Sequence, residues 1–326
     1  MSCLLGIDQG GTKTCAALCN LQGDLLGVGY ARGACHSSSG MAAALKAIDE
    51  AVSKAAAKAA VSYDDVSLLY SGMTGADWPE ELPYLESALL KHTGIKRICV
   101  ANDCQIAFFA GTQRGYGAVV CAGTGVNAAF VSRDGKSENL GFFIQVNHIG
   151  RLALQAVYDA YAGVGAQTGL SRLAFAHFGR DNEQSLMRAQ QSREGLSTAR
   201  IKAFAPIAMK AAQEGDRAAQ ELCNAFASRC ARYAAAMLAK AELLDIPADA
   251  VASGGIFKNE WLFSRFAFYL AEFAPKAAAI NAQYEPVAGA LLRALDIFGT
   301  ESSAKERLVQ QASAHGLCRL MQKEEC

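Results

Sequence analysis

Short apolar runs alternate with Ala-, Leu- and Lys-rich stretches along the first 143 residues. A run of about five apolar residues between turn residues reads as a buried strand, and apolar positions three or four apart read as one face of a helix. On that basis Cys3 to Ile7 is a strand and Asp8-Gln9-Gly10-Gly11-Thr12-Lys13-Thr14 a glycine-rich turn. Cys15 to Leu21 and Leu25 to Ala31 are two further strands around the turn Gln22-Gly23-Asp24. Helix Met41 to Ala60, strand Val66 to Tyr70, helix Glu80 to Lys91, strand Arg97 to Ala101 and a helix from Asp103 follow. The order then restarts. Tyr116 to Cys121 is a strand, Ala122-Gly123-Thr124-Gly125 a glycine turn, and Asn127 to Ser132 and Asn139 to Phe143 two more strands. A helical stretch from about Gly150 to Leu244 separates these from strand Ala248 to Ala252, helix Trp261 to Ala271, strand Ala277 to Asn281 and helix Val287 to Leu295.

The pattern βββαβαβα therefore occurs twice, each copy opening with a glycine hairpin. Three strands followed by βαβ units predict an α/β fold of two halves facing each other across a cleft, each a mixed five-stranded sheet flanked by helices. The expected division is residues 1–112 and 113–297, with a helical insert at about 150–245. A C-terminal helix within about 298–326 is expected to complete the first domain.

Composition narrows the function. With 326 residues, 52% hydrophobic and only 6 prolines, the chain is too apolar to be disordered and long enough for two domains. Its 31 basic and 31 acidic residues cancel, and no Lys/Arg cluster makes the basic stripe that nucleic acid requires. No apolar run reaches the roughly 18 residues of a membrane span. Asp8 also follows the apolar start too soon for a secretory segment. Eleven scattered cysteines with no Cys-x-x-Cys spacing read as reduced, buried thiols of a cytoplasmic protein. His36, His92, His177 and His315 have no partner at metal spacing, which argues against zinc.

The glycine loops carry the chemistry. Consecutive glycines let backbone N–H groups turn inward as a cradle for anionic oxygens. Around Gly10 and Gly11, the Thr12 hydroxyl and the Lys13 ammonium add donors, and Asp8 at the strand end suits a hydrated Mg2+ held against phosphates. A Walker A loop does not fit, because Thr12 precedes Lys13 and a strand follows. Nor does a dinucleotide fingerprint, since Gly-x-Gly-x-x-Gly and its helix are missing. A second loop, Gly123-Thr124-Gly125, has the equivalent place in the second repeat. A third, Ser253-Gly254-Gly255-Ile256-Phe257-Lys258-Asn259, joins a strand to a helix. Each loop alone is an ordinary turn. Three of them, at the ends of apolar strands in a repeated architecture, point to nucleotide phosphates.

These residues resemble the actin-like superfamily of sugar kinases, whose domains are ribonuclease H-like. Asp-x-Gly-Gly-Thr after strand one, Gly-Thr-Gly in the second half and Gly-Gly before a helix match its two phosphate segments and its adenosine segment. Within it the chain looks most like the N-acetylglucosamine kinase branch, grouped with the BadF/BadG-type ATPases, over roughly Leu4 to Phe143 and Ala248 to Leu295. The resemblance implies ATP and Mg2+ as cofactors, a sugar as acceptor and a possible homodimer. It makes Asp103, in Val100-Ala101-Asn102-Asp103, the catalytic base, although Asn-Asp after a strand also suits a helix cap. Thr74, Asn127, Ser37, Asn102 and Gly141 match the sugar side. Gly10, Gly11, Thr12, Lys13, Gly123, Thr124, Gly125, Gly254, Gly255 and Asn259 match the nucleotide side, and Asp8 the metal. Pro286 and Gly289 fall in a hinge-like helix at the domain junction.

The sequence also departs from that family. Where Gly-Trp-Gly-Pro and then Gly-Asp-Glu-Gly-Ser are usual, it reads Gly141-Phe142-Phe143-Ile144-Gln145-Val146-Asn147-His148-Ile149-Gly150-Arg151. Aligned without a gap, His148 replaces a sugar-binding Asp, Ile149 a Glu and Arg151 a Ser, while Ser37 stands for an Asn. An imidazole cannot accept from two hydroxyls as a carboxylate does. The expected result is an intact phosphoryl-transfer half and an altered sugar half. Two other functions use the same motifs: an ATPase that activates a radical enzyme through a [4Fe–4S] cluster, and a non-catalytic sugar or nucleotide sensor acting on a protein partner.

Overall fold

The computed structural model describes residues 2–318 apart from 124, 142, 143, 145, 147, 193 and 194, and leaves out the side chain at 58. The first sheet holds β1 (Cys3–Gln9), β2 (Lys13–Asn20), β3 (Leu25–Arg32), β4 (Val66–Met73) and β5 (Ile98–Asn102) in the order β3-β2-β1-β4-β5. β1, β2 and β3 form an antiparallel meander, and β4 and β5 add in parallel to β1. The second sheet repeats this with β6 (Gly117–Ala122), β7 (Val126–Val131), β8 (Ser137–Asn139), β9 (Ala248–Ser253) and β10 (Ala277–Asn281), in the order β10-β9-β6-β7-β8. Both halves thus share one topology, and the duplicated pattern of the sequence is a duplicated fold. All seven residues of β1 are buried. A strand covered on both faces must be apolar throughout, so it reads as a continuous run rather than an alternation.

β8 differs from the sequence expectation. It covers three residues and ends at Asn139 instead of starting there. Gly141, at φ +42, takes the backbone out of the extended region. Phe142 and Phe143, placed in that strand by the sequence, lie outside the described residues.

Helices cover the sheets. α1 (His36–Ser39), α2 (Met41–Ala59), α3 (Leu82–Thr93) and α4 (Asp103–Phe109) belong to the first half. The insert is six helices: α5 (Ile149–Ala162), α6 (Leu170–Phe178), α7 (Glu183–Gln191), α8 (Thr198–Ala203), α9 (Ala205–Gln213) and α10 (Arg217–Lys240). α11 (Glu260–Phe273), α12 (Pro286–Phe298) and α13 (Ser302–Ala312) complete the chain. The Ala-rich α2 and α10 spend their apolar faces internally, α2 on β2 and β3, and α10 on α5, α9, α11 and the second sheet. Small side chains permit that close packing.

Two helices tie the halves together. α12, which the sequence groups with the second half, packs on β1, β2 and β4 of the first sheet, with Val287, Leu291 and Leu295 in one core with Leu4 and Leu68. α13 joins the same core through Ala304, Leu308 and Ala312. α4 belongs to the first half by sequence, yet its Cys104, Ala107 and Phe108 pack with Val119, Ala129 and Val251 of the second sheet. α4 and α12 touch where Gly289 faces Ile106, and a Cβ at Gly289 would lie 2.0 Å from the Ile106 carbonyl oxygen. The link from α4 to β6 is fixed by Asp249, buried in β9. Its carboxylate accepts from the Thr112 hydroxyl, the Gln113 and Arg114 N–H groups and the Arg114 guanidinium at 2.6–2.7 Å. Burial alone would raise this carboxyl, but those donors hold it below its usual value.

Candidate active site

In parallel sheets the carboxyl ends of the strands form the natural crevice. Here the ends of β1, β4 and β5 stand in register, Asp8 opposite Gly72 and Met73 opposite Asn102, so Asp8, Thr74 and Asp103 share one edge. The ends of β6 and β9 come from the second half, with Cys121 opposite Ser253. Between them lies a cleft of about 440 Å3, lined by Asp8, Thr74, Asp77, Asn102, Asp103, Asn127, Gly123, Gly125, Gly141 and Gly254.

Asn102, not Asp103, caps α4: its Oδ1 accepts from the Cys104 N–H at 2.9 Å. Asp103, the first residue of the helix, is left to face the cleft. Burial pushes its carboxyl up to about 6, with the Asp77 charge adding to the rise, while a hydrogen bond from Thr74 and the Cys104 N–H oppose it. Asp8 is only 7% exposed. Burial and then the Asp103 charge push it to about 7, against the pull of Lys13. Two carboxylates thus share a cleft with little cationic compensation.

A polar chain crosses from one half to the other. Asn102 Nδ2 donates to Asp77 Oδ1 at 2.8 Å, Asn127 Nδ2 donates to Asn102 Oδ1 at 3.2 Å, and the Gly141 N–H donates to Asn127 Oδ1 at 3.0 Å. It fixes the amide orientations of Asn102 and Asn127 beside the two acids.

Gly123, Gly125 and Gly254 form the opposite side, while the Gly10–Gly11 hairpin follows Asp8 in the first half. A Cβ at Gly11, Gly123, Gly125 or Gly255 would meet nothing within 4 Å, so these backbones border open space. Gly254, at φ +91, sits where a Cβ would lie 2.2 Å from the Ala122 carbonyl oxygen, which locks the ends of β6 and β9 together. The hairpin is held by the Gly10 N–H donating to the Lys13 carbonyl at 2.9 Å and the Gly33 N–H donating to Thr12 O at 3.1 Å. Open glycine backbone at strand ends, with an acid beside it, fits a nucleotide's phosphates and one Mg2+. That ion commonly takes one or two carboxylates together with substrate phosphates. Asp8 is the carboxylate in position. No group of three or more His, Cys, Asp and Glu side chains among the described residues forms a metal cage.

Other sequence candidates have different surroundings. The Lys13 ammonium is 2.7 Å from Glu285 Oε2, and Lys258 reaches Glu285 Oε1 at 3.5 Å. Glu285 is thus an organising acid that the sequence reading did not select. Asn259 caps α11, accepting from the Leu262 N–H at 2.9 Å, and its Nδ2 donates to Gln213 at 3.1 Å. His148 caps α5 through Nδ1, which accepts from the Gly150 N–H at 3.2 Å. Burial and the charge of Lys202 lower its pKa, and a bond to the Gly123 backbone opposes them. Ser37 lies beside Gly75, its Oγ 3.0 Å from Cys35 Sγ. Thr12 is exposed. Thr124 lies outside the described residues. Asp77 was missed, although the sequence carries a signal for it: it follows Gly75 in the loop after β4, whose end adjoins that of β1.

Comparison with known proteins identifies a family and a shared fold. Residues 5–294 match the BadF/BadG/BcrA/BcrD ATPase family. An N-acetylmuramic acid/N-acetylglucosamine kinase of Clostridium acetobutylicum is 22% identical over 300 residues, covering 90% of this chain and 98% of the relative. A crystal structure described as an N-acetylglucosamine kinase of Chromobacterium violaceum superposes with a TM-score of 0.69 at 21% identity, covering 90% of this chain and 98% of the other. A ROK family glucokinase of Streptomyces griseus, in complex with glucose and AMPPNP, gives 0.56 at 20% identity, covering 91% and 99%. The structural matches establish that the fold, two α/β halves around a cleft, is shared with these proteins. No helix among the described residues is long and apolar enough to cross a membrane.

Proposed function

The chain belongs to the BadF/BadG/BcrA/BcrD ATPase family, and from that premise we propose that it is an ATP-dependent kinase of an amino sugar. The observation that carries the reading is the placement of Asp103, at the start of a helix shared by both halves and facing glycine loops across a cleft that also holds Asp8. A carboxylate there takes the proton of a sugar hydroxyl as the hydroxyl oxygen bonds to the γ-phosphorus of ATP. The bond from that phosphorus to the bridging oxygen breaks, ADP leaves, and the proton stays on Asp103. Thr74 and the Cys104 N–H steady the base. Asn127, held by Asn102 and Gly141, presents an amide to the acceptor. The open backbone at Gly11, Gly123, Gly125 and Gly255 leaves room for phosphate and nucleotide. Asp8 would hold Mg2+, which supplies charge neutralisation on the phosphates. A divalent cation beside Asp8 would favour its ionised form and so offset the rise that burial causes.

A cytoplasmic enzyme acting on N-acetylglucosamine or a glucosamine-like sugar is the finer form of the reading, supported by the Clostridium relative's name. A homodimer is an expectation that sedimentation velocity would settle. The kinase reading is tested by coupled ADP release with Mg·ATP across N-acetylglucosamine, glucosamine, N-acetylmannosamine and glucose. Sugar-dependent release, with a phosphorylated sugar identified by 31P spectroscopy, is the expected result. ATP binding without turnover on any sugar would sink the reading and leave a sensor.

A further inference from the structure

Away from the glycine loops, the cleft opens into a second cavity of about 390 Å3, a size ordinary for a small-molecule site. It shares Asp77, Asn102 and Gly141 with the cleft, and Trp78, Gln105 and Asn139 form part of its remaining wall. Asn139 Oδ1, in its wall, is a buried polar atom without a protein partner, and others belong to residues near Asp77 behind that wall. Four of the six such atoms among the described residues are Nδ1 and Nε2 of His36, Oε2 of Glu81 and Oδ1 of Asn139. His36 and Glu81 both act on the Asp77 charge, and Asn139 Nδ2 donates to the Asp77 carbonyl at 3.4 Å. A folded protein leaves few buried polar atoms unpaired, so four around one side chain mark a place built to receive hydrogen bonds.

The chemistry of those atoms is lopsided. Asp77, Glu81 and the Asn139 oxygen are acceptors, and the His36 ring is the one group among them that can donate. Neither Asp77 nor Glu81 has a Lys or Arg ion-pair partner among the described residues. Glu138, on the rim, is compensated by Lys240 at 3.0 Å. No Lys or Arg lines the cavity among the described residues. A hydroxyl or amide N–H entering it gains acceptors, whereas a carboxylate meets the Asp77 charge, opposed by His36 alone, in a partly desolvated wall.

We propose that this side cavity is the acceptor-discriminating subsite: it holds an uncharged hydroxyl- or amide-bearing substituent of the sugar against Asp77 and Asn139, and it turns away a carboxylate. The inference rests on the kinase reading, and it separates this chain from a relative whose name includes N-acetylmuramic acid. Specificity of this kind comes as much from the repelled substrate as from the accepted one.

The test uses N-acetylglucosamine, N-acetylmuramic acid and the primary carboxamide of N-acetylmuramic acid, the last two matched in size and different in charge. The carboxamide is expected to exceed the acid in kcat/KM by about tenfold or more. Asp77→Asn should bring the two together while raising KM for N-acetylglucosamine. Gln105→Lys, which leaves Asp77 in place and adds a cation on the wall, should narrow the gap as well and guards against an Asp77 variant that does not fold. Equal kcat/KM for acid and carboxamide in the wild type, or a ratio that neither variant moves, overturns the proposal. Calorimetric binding of the same three sugars gives a second readout. If none is phosphorylated the kinase reading falls, and the subsite still stands or falls on whether the carboxamide binds more tightly than the acid.

Discussion

Asp103 and Asp8 are both aspartates at strand ends, and their surroundings suit the different tasks proposed for them. Asp103 is steadied by Thr74 and by helix N–H groups and sits near 6, a value suited to a base that must be ionised at neutral pH yet accept a proton in the transition state. The kcat/KM of the free enzyme should therefore fall as pH drops through about 6, and a profile flat to pH 5 would exclude Asp103 as the essential base. Both acids also shape stability. Their folded values lie above the ordinary 3.8, so the native state binds the extra protons. That contribution is fully present below about 4 and is lost as pH rises through about 6 and then about 7. The ligand-free protein should lose thermal stability over that window, and Asp8→Asn should flatten the loss, as calorimetric Tm values at pH 5 and pH 8 would show. At this scale the sequence displays Asp8 and the glycines, because strand ends and Gly pairs are local signals, while Asp103 is singled out only through the family resemblance. Glu285 and Asp77 stayed hidden. Their roles depend on which strands become neighbours, and Lys13 turns to Glu285 only because α12 starts beside the hairpin.

Among the elements, α4 carries the most consequence for its length. It presents Asp103 at one end, buries Phe108 and Ala107 against the second sheet, and rests on α12 at Gly289. Gly289→Ala would drive a Cβ into the Ile106 carbonyl. It should cost about 1–3 kcal/mol of stability, lowering Tm by several degrees, and reduce kcat by shifting the base. A variant with unchanged Tm and kcat would show that the helices have slack there. Most strands and helices were legible because their apolar periods are short-range. β8 was misplaced because Gly141 turns the chain by its positive φ, a conformation that hydrophobic pattern does not encode. The packing of α12 on the first sheet is not legible in the sequence for a related reason. Its own period marks one apolar face without saying which sheet receives it.

Across the whole molecule, two copies of one topology meet with the carboxyl ends of their central strands facing a common cleft, and α4 and α12 bind them into one body. Such an arrangement assembles a catalytic site from both halves and excludes water when they close on substrate. The repeat itself was readable from the order of strands and glycine turns. The sugar side was less so, since it is drawn from loops after β4, β5 and β8 that are distant in sequence. The most direct measurement compares sugar-dependent ADP release by wild-type protein and by Asp103→Asn, with ATP affinity measured calorimetrically on both. The account predicts that kcat falls by about 10²–10⁴-fold while ATP affinity and the folded state are retained. Turnover that survives the substitution at the wild-type rate would contradict it.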